Sequence, residues 1–508
     1  MLAKTLSVAL VGADAHVVEV EVHATQGVPS FTIVGLPAKS VREAEQRTRS
    51  ALLSSDERWP PSRMVANLAP ASLRKEGTHF DLAIAVGVLA GDARLSHEQV
   101  EGWVFMGELG LDGSVRRVRG ALSAAMAAAS SRLKGIMCPA VNAAEAALVD
   151  GLSIVPVATL GECVRFLRGQ WAPPAIPRVR HVPGAAPEDM SEVRGQSAAR
   201  RALEIAAAGG HNFMMRGAPG CGKTMIARRL PGILPVMSKQ ESLDVTRIHS
   251  VAGLLEDRHG LIEHRPFRTP HHNVSVAGLV GGGSGIARPG EVALAHHGVL
   301  FMDEIPLFRR DALESLRGPL EDGIVRIARG GGVVSFPCRF SLVAAMNPCP
   351  CGYREDQKRG CECTDQQLRA YRGRVSGPLL DRFDIHLGMR RVRSADLVGR
   401  PQGERSEVVR ERVEAARDVQ RIRFESPSAT NASVPKKTLL QRGRFRSDVF
   451  APLCGAIDDG SLTGRGMERV LRVARTIADL AGRAEVDKDH VAEALMFRLT
   501  DDPLGMAA

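Results

Sequence analysis

Hydrophobic and polar positions change rhythm along the chain. In the first 170 residues, short alternating runs (VVEVEVHA, SFTIVG) exchange with stretches of helical spacing (VREAEQRTRSALLSS, ALSAAMAAASSRL). A period of two marks half-buried strands and a period near 3.6 marks amphipathic helices. Residues 1–170 are therefore predicted to form a compact α/β or α+β domain. Trp171–Asp189 carries five prolines and neither period, and reads as an extended linker. Over residues 190–395 apolar strands alternate with helices, as a parallel sheet requires. Residues 396–508 read as helical: Val409, Val413 and Ala416 make one apolar face, and Met467, Val470, Leu471, Ala474, Ile477 and Ala478 another. The longest apolar run, Leu82–Ala90, is about half the ~20 residues a membrane-spanning helix needs. The N-terminal MLAKTLSVALVG runs straight into a strand-like pattern and is not read as a signal peptide.

Composition adds a sign to this picture. The 508 residues are 44% hydrophobic and 24% charged, ordinary for a globular protein, and the net charge is +10 with a pI near 9.4. A basic surface exposed to solvent accounts for such an excess; the functional alternative is a polyanionic partner, most simply nucleic acid. Aromatic residues make up only 4%, so nucleic acid would be held by its phosphates rather than by base stacking. The nine cysteines do not form a secreted disulfide framework, and they point to a reducing cytoplasm.

The chemistry concentrates after the linker. The run NFMMRGAPGCGKTMIARRL carries G-x-x-x-x-G-K-[ST] between an apolar strand (Phe213–Met215) and a helix (Met225–Leu230). Gly217, Ala218, Pro219, Gly220, Cys221 and Gly222 form a loop whose backbone N–H groups can wrap phosphates at a helix N-terminus. Lys223 is expected to reach the β- and γ-phosphates of ATP, and Thr224 to ligate Mg²⁺. The strand GVLFM ends in Asp303-Glu304: a carboxylate for Mg²⁺ and one to polarise the attacking water. A third apolar strand, Ser341–Met346, ends in Asn347, and SGPLLDRFDIHL places Arg382 ahead of a fourth. Arg465 opens an amphipathic helix whose polar side also carries Arg469 and Arg472.

The run RPFRTPHHNVSVAGLVGGGSGIARPGEVALAHHGVLFMDEIPLF, with NPCPCG and SGPLLDRFDIHL behind it, resembles the magnesium-chelatase-like AAA+ ATPases of the YifB/ComM type, over essentially the whole chain. The resemblance implies an N-terminal Lon-protease-like (ribosomal S5 domain 2-like) α+β domain, an AAA+ P-loop parallel-sheet core and a C-terminal helical lid. It makes Asn347 the sensor near the γ-phosphate, Arg382 the finger offered to a neighbouring subunit, and Arg465 the lid arginine that reaches back to the phosphates, with Arg469 as its runner-up. It also implies a homo-oligomer, most simply a hexamer, that moves on single-stranded or branched DNA and promotes branch migration during DNA uptake. Within the insert Gly282–His297 and the hairpin Leu320–Gly332, Arg288, Arg326 and Arg329 become candidate phosphate-backbone contacts. A chelatase motor driving metal insertion into a porphyrin is the alternative; such motor subunits resemble residues 190–508 and do not carry the Lon-like domain. His271, His272, His296 and His297 lack metal-ligand spacing with nearby acids and are read as structural or interface residues.

A Lon-like protease needs a serine activated by a lysine. Here Lys75-Glu76-Gly77-Thr78-His79 puts His79 at or beside the serine position, and Gly120–Ala125 holds no lysine, so peptidase activity is not expected. Cys349, Cys351, Cys361 and Cys363 form C-x-C, nine residues, C-x-C, beside Arg354, Lys358 and Arg359. Four thiolates that converge suffice for tetrahedral Zn²⁺; reduced thiols or an iron–sulfur cluster are the alternatives.

Overall fold

In a computed structural model, which describes residues 1–176, 187–255, 260–283, 287–329, 332–354, 359–392 and 403–498, the alternating N-terminal runs pair into one mixed sheet. Leu2–Val11 (β1) and Asp14–Thr25 (β2) form a long antiparallel hairpin. Ser30–Val34 (β3), Arg63–Ala69 (β4), Trp103–Phe105 (β5), Gly135–Pro139 (β6) and Ser153–Val157 (β7) complete the order β3-β4-β2-β1-β5-β6-β7. Along β2 the alternation sends Val18, Val20 and Val22 into the core, while Glu19 and Glu21 face Lys4 across the hairpin at 3.0 and 3.1 Å.

The apolar run singled out above is helix α1 (Asp81–Gly91), in which every residue is buried. It lies against β1 and β2, and Gly87 permits that approach: a Cβ there would stand 2.8 Å from Val22 Cγ2. Ala121–Ser130 (α2) covers the sheet as well. His79 is buried with Nε2 2.8 Å from the Val8 carbonyl oxygen, and Ser123 donates to the Ala13 carbonyl at 2.7 Å. Both side chains are engaged inside the fold.

After the linker, of which residues 177–186 lie outside the described residues, Ser197–Gly209 (α3) leads into a five-stranded sheet. Phe213–Gly217 (β8) runs into Lys223–Ile233 (α4), then Lys239–Ala252 (α5), Phe267–Arg268 (β9) and Val299–Met302 (β10). A separate hairpin, Ile324–Arg329 (β11) with Gly332–Pro337 (β12), precedes Ser341–Met346 (β13) and Ile385–Met389 (β14). The order β9-β10-β13-β8-β14 is parallel at every step, so the first strand of this sheet sits between the fourth and the fifth.

The hairpin is longer than expected from the sequence: β12 continues to Pro337 because Phe336 is buried opposite Val325, and Leu320 belongs to a preceding helical turn, Arg317–Asp322. The expected insert is also not one loop. It folds as a two-stranded pair, Gly281–Gly282 with Arg288–Pro289, followed by a short helix at Glu291–Leu294; residues 284–286 lie outside the described residues.

The C-terminal helices share a core with the back of this sheet. Val409, Val413 and Ala416 on Ser406–Phe424 (α7), and Val470, Leu471, Ala474, Ile477 and Ala478 on Gly464–Leu480 (α8), join Phe213, Met215 and Ile226 in one cluster. Both helical faces read from the sequence are buried, Met467 partly so. The expected boundary at 395–396 falls outside the described residues. The first 170 residues and the core touch through Asp14–Arg247 at 2.7 Å, Asp150–Lys239 at 2.6 Å and Glu145–Ser250.

Among the described residues burial pushes four histidines down: His79 to about 4, His386 to about 3, His296 to about 2, and His297 in the same direction. Their folded values lie below the ordinary 6.5, so the unfolded chain binds more protons in acid. Their contribution to stability is then fully present above about pH 6.5 and lost as pH falls below it, against a smaller opposite contribution from the buried Asp81, whose carboxyl burial raises to about 6. Thermal unfolding from pH 7.5 down to 5 is expected to show a falling midpoint, with a shallower fall in His386→Gln; a midpoint flat across that range in the parent protein contradicts this burial.

Candidate nucleotide-binding site

Parallel strands deliver their C-terminal ends to one edge of the sheet, and that edge gathers the first group of expected residues. β8 ends at Gly217, where a Cβ would meet the Met389 carbonyl oxygen at 2.5 Å, so the loop turns away hard against β14. Gly220 (φ +76°) and Gly222 (φ +95°) take the left-handed conformation that turns successive N–H groups inward. A Cβ on Gly220 would meet nothing within 4 Å, which leaves the crest of the loop open to an incoming group. Cys221 is buried beneath it, its thiol pushed up by burial.

Lys223, the first residue of α4, is buried, and its ammonium donates to Gly217 O at 2.6 Å, Ala218 O at 3.2 Å and Asn347 Oδ1 at 3.0 Å. Asn347, at the exit of β13, donates from Nδ2 to Glu304 Oε1 at 3.4 Å. Asp303, at the exit of β10, accepts from Thr224 Oγ1 at 2.9 Å and from the Glu304 N–H at 3.0 Å. Glu304 has φ +50°, an uncommon conformation for a side-chain-bearing residue, and the turn aims its carboxylate along the same edge. Lys223, Thr224, Asp303, Glu304 and Asn347 thus form one hydrogen-bonded chain drawn from two strand ends and a helix start.

The donor set fits a nucleoside triphosphate with Mg²⁺. Inward N–H groups and one ammonium match phosphate oxygens, and a hydroxyl beside a carboxylate matches a hard, oxygen-seeking cation. Among the described residues the one cluster with the proximity of a transition-metal site is the cysteine group, apart from these ligands.

Arg382, Arg465 and Arg469 stand at the other edge. Arg382 precedes β14, and its backbone carbonyl accepts from Asn212, which precedes β8. With about 3.3 Å of rise per residue, the length of β8 separates these edges by roughly 15 Å. Arg382 pairs with Glu321 and donates to Pro378 O at 2.9 Å; Arg465, mostly exposed, lies 3.3 Å from Asp381. Arg469 donates to the buried Asp384 at 2.9 Å. The Asp384 carboxyl, which burial alone would push up, is held below its ordinary range by His211, Arg469 and Arg472. His211 in turn contacts Thr476 on α8 at 2.8 Å, which ties the C-terminal helices to the sheet edge. Burial and the neighbouring Arg317, Arg469 and Arg465 lower the Arg382 value, the signature of crowded positive charge. These arginines line a cleft of about 1090 Å³ that contains none of the phosphate-loop residues.

Of the expected nucleic-acid contacts, Arg288 is exposed on its short strand and Arg326 is exposed on β11, paired with Asp322 at 2.5 Å. Arg329 ends β11, and its side chain lies outside the described residues. The two elements abut: a Cβ on Gly281 would stand 2.9 Å from Ile327 Cδ1. The His271 and His272 ring centroids lie 4.1 Å apart with the planes tilted by 33°, and His296 Nδ1 accepts the Arg339 N–H at 2.9 Å. Gln196 was not singled out from the sequence. Held at φ +52° before α3, it donates to the Cys221 carbonyl at 3.0 Å and the Arg390 carbonyl at 2.7 Å, which ties the phosphate loop to the end of β14. The only sequence signal was the Gly195-Gln196 pair directly ahead of a helix.

Family models match the chain along most of its length: "Magnesium chelatase, subunit ChlI" over residues 189–397, "Subunit ChlI of Mg-chelatase" over 20–142, and "Magnesium chelatase, subunit ChlI C-terminal" over 403–498. An uncharacterized protein of Mycobacterium tuberculosis is 45% identical over 98% of this chain and 99% of its own. The competence protein ComM of Haemophilus influenzae is 40% identical over 98% and 97%, and the uncharacterized protein YifB of Escherichia coli 39% identical over 97% and 96%. With its parallel-sheet core, its phosphate loop and full-length relatives of this kind, the chain belongs to the magnesium-chelatase-like AAA+ family, in its ComM/YifB type.

Proposed function

We propose that the protein is an ATP-hydrolysing ring motor that moves on DNA, with each active site shared by two subunits. The observation that carries this reading is the division of charged residues between the two edges of one sheet. Lys223, Thr224, Asp303, Glu304 and Asn347 join at one edge, and Arg382 and Arg465 face a cleft at the other. A chain with this arrangement presents its arginines to the next copy's phosphates, not to its own.

The loop N–H groups and Lys223 hold the phosphates, and Thr224 with Asp303 would hold Mg²⁺. That ion, when bound, neutralises charge on the β- and γ-oxygens. Glu304 orients the attacking water and accepts its proton; Asn347, bonded to both Lys223 and Glu304, keeps them in register. Arg382 and Arg465 of a neighbouring subunit stabilise the transition-state charge. Residues 1–170 act as a Lon-protease-like assembly or partner-binding domain, residues 171–189 as a linker to the 190–395 core, and residues 396–508 as a helical lid.

DNA as the track is supported by the exposed Arg288 and Arg326 on abutting elements, by the net charge of +10 and by the relative named a competence protein. We place the motor in the cytoplasm as a homo-oligomer, most simply a hexamer.

Glu304→Gln is expected to bind ATP normally while hydrolysis falls by about 10²–10⁴, read by fluorescent-nucleotide titration beside phosphate release. Arg382→Ala is expected to keep ATP affinity and lose on the order of 10³ in turnover. On forked and four-way DNA, ATP should drive strand displacement, and DNA should stimulate hydrolysis. Arg288→Ala with Arg326→Ala should weaken DNA binding and flatten its salt dependence by about one unit of slope each. An intact ATPase that neither displaces strands nor responds to DNA rules out DNA as the track.

A further inference from the structure

Four thiols converge beside the phosphate loop. Cys349 and Cys351 follow Asn347 out of β13, and Cys361 and Cys363 return just before the helix Asp365–Arg372 (α6). Their sulfurs lie 3.3 Å apart for Cys349–Cys351, 3.7 Å for Cys351–Cys361 and 3.7 Å for Cys361–Cys349, with all four within 4.8 Å of one another. Thiolates around one tetrahedral Zn²⁺, with Zn–S near 2.3 Å, stand about 3.8 Å apart.

A disulfide needs about 2.05 Å, and an iron–sulfur cluster, whose cysteines ligate different irons, spreads its sulfurs wider than a single ion's shell. The Cys351 N–H donates to Cys363 Sγ at 3.4 Å, the kind of outer bond that orients a ligating thiolate. Arg359 stacks on Tyr353 at 4.2 Å and Arg391 lies 6.0 Å from the same ring, which brings positive charge beside a net-anionic centre.

The surroundings give such a centre a task. Gly352, between two of the thiols, has φ +84°, and a Cβ on it would stand 2.6 Å from Pro219 Cδ, so the cysteine loop rests on the Pro219 flank of the phosphate loop and leaves its crest at Gly220 open. Asn347, two residues before Cys349, is the residue bonded to Lys223 and Glu304. On the return side, Cys363 precedes Thr364, the N-cap of α6, whose side chain accepts the Gln367 N–H. Tyr371 on that helix is buried, its phenol pushed up to about 12 by burial against a backbone hydrogen bond from Asn347. Asn347, the four thiols, α6 and Tyr371 therefore make a ring that one metal ion closes.

We propose that Cys349, Cys351, Cys361 and Cys363 bind one structural Zn²⁺, and that this knot braces Pro219 and Asn347 in the geometry that holds nucleotide. The bracing rests on the phosphate-loop reading above; the zinc assignment stands apart from it.

The test uses the full chain purified without chelator. Metal analysis is expected to give one zinc per chain, lost in Cys361→Ser/Cys363→Ser, and Co²⁺ exchange is expected to give the visible absorption of a tetrahedral tetrathiolate. A fluorescent ATP analogue should bind on the order of tenfold more weakly once zinc is stripped with a mercurial and chelator. Gly352→Ala, which leaves all four ligands in place, should retain zinc and show a similar loss as its methyl crowds Pro219; circular dichroism confirms that each sample is folded. No zinc in the parent protein, or iron in its place, overturns the assignment. Unchanged nucleotide affinity in both the stripped protein and Gly352→Ala overturns the bracing. Zinc-loaded parent protein that binds no ATP overturns the bracing together with the nucleotide reading, while the metal count alone decides the zinc site.

Discussion

Strand direction is the constraint on which the rest of this molecule depends. Because all five core strands run parallel, every residue that follows a strand shares one edge and every residue that precedes one shares the other. Gly217 ends β8, and Asp303 and Asn347 follow β10 and β13; Asn212 and Arg382 precede β8 and β14. No side-chain rearrangement carries Arg382 across a sheet about 15 Å long to its own phosphate loop. If Arg382 serves a phosphate loop, as proposed, that loop belongs to another copy of the chain.

Within the first edge, one ammonium organises the rest. A buried cation is costly unless oxygens surround it, and Lys223 meets three. One of them belongs to Asn347, whose amide then has only its N–H₂ left to offer and gives it to Glu304. A glycine-rich loop, a strand end that carries a carboxylate and a strand end that carries an amide are in this way fixed relative to one another. The same amide stands two residues from Cys349, so whatever holds the cysteine loop also holds the polar chain.

Much of this was legible in the sequence because it is local. The glycines and lysine of the loop, Asp303-Glu304 after GVLFM and Asn347 after SLVAAM each sit at the end of an apolar run, where period and spacing are enough. The buried faces of α7 and α8 were likewise written in spacings of three and four. What depends on pairing was not legible. Trp103–Phe105 is too short for a period to show, yet it is central to the N-terminal sheet. The length of β12 depends on Phe336 finding Val325 across the hairpin. Gln196 acts through a left-handed backbone that no side-chain pattern encodes, and the contact of Gly352 with Pro219 joins residues more than a hundred positions apart. The cysteine spacing announced a cluster, but only the fold shows what that cluster leans on.

The claim that each site is shared between subunits is tested most directly by mixing two inactive chains. Lys223→Ala lacks a working phosphate loop but keeps Arg382; Arg382→Ala keeps the loop and lacks the arginine. If the arginine serves the neighbouring copy, randomly mixed rings contain about a quarter of interfaces with both parts intact, and ATP hydrolysis reappears on mixing. Mixtures as inactive as either chain alone, in rings shown to contain both, would contradict the shared site.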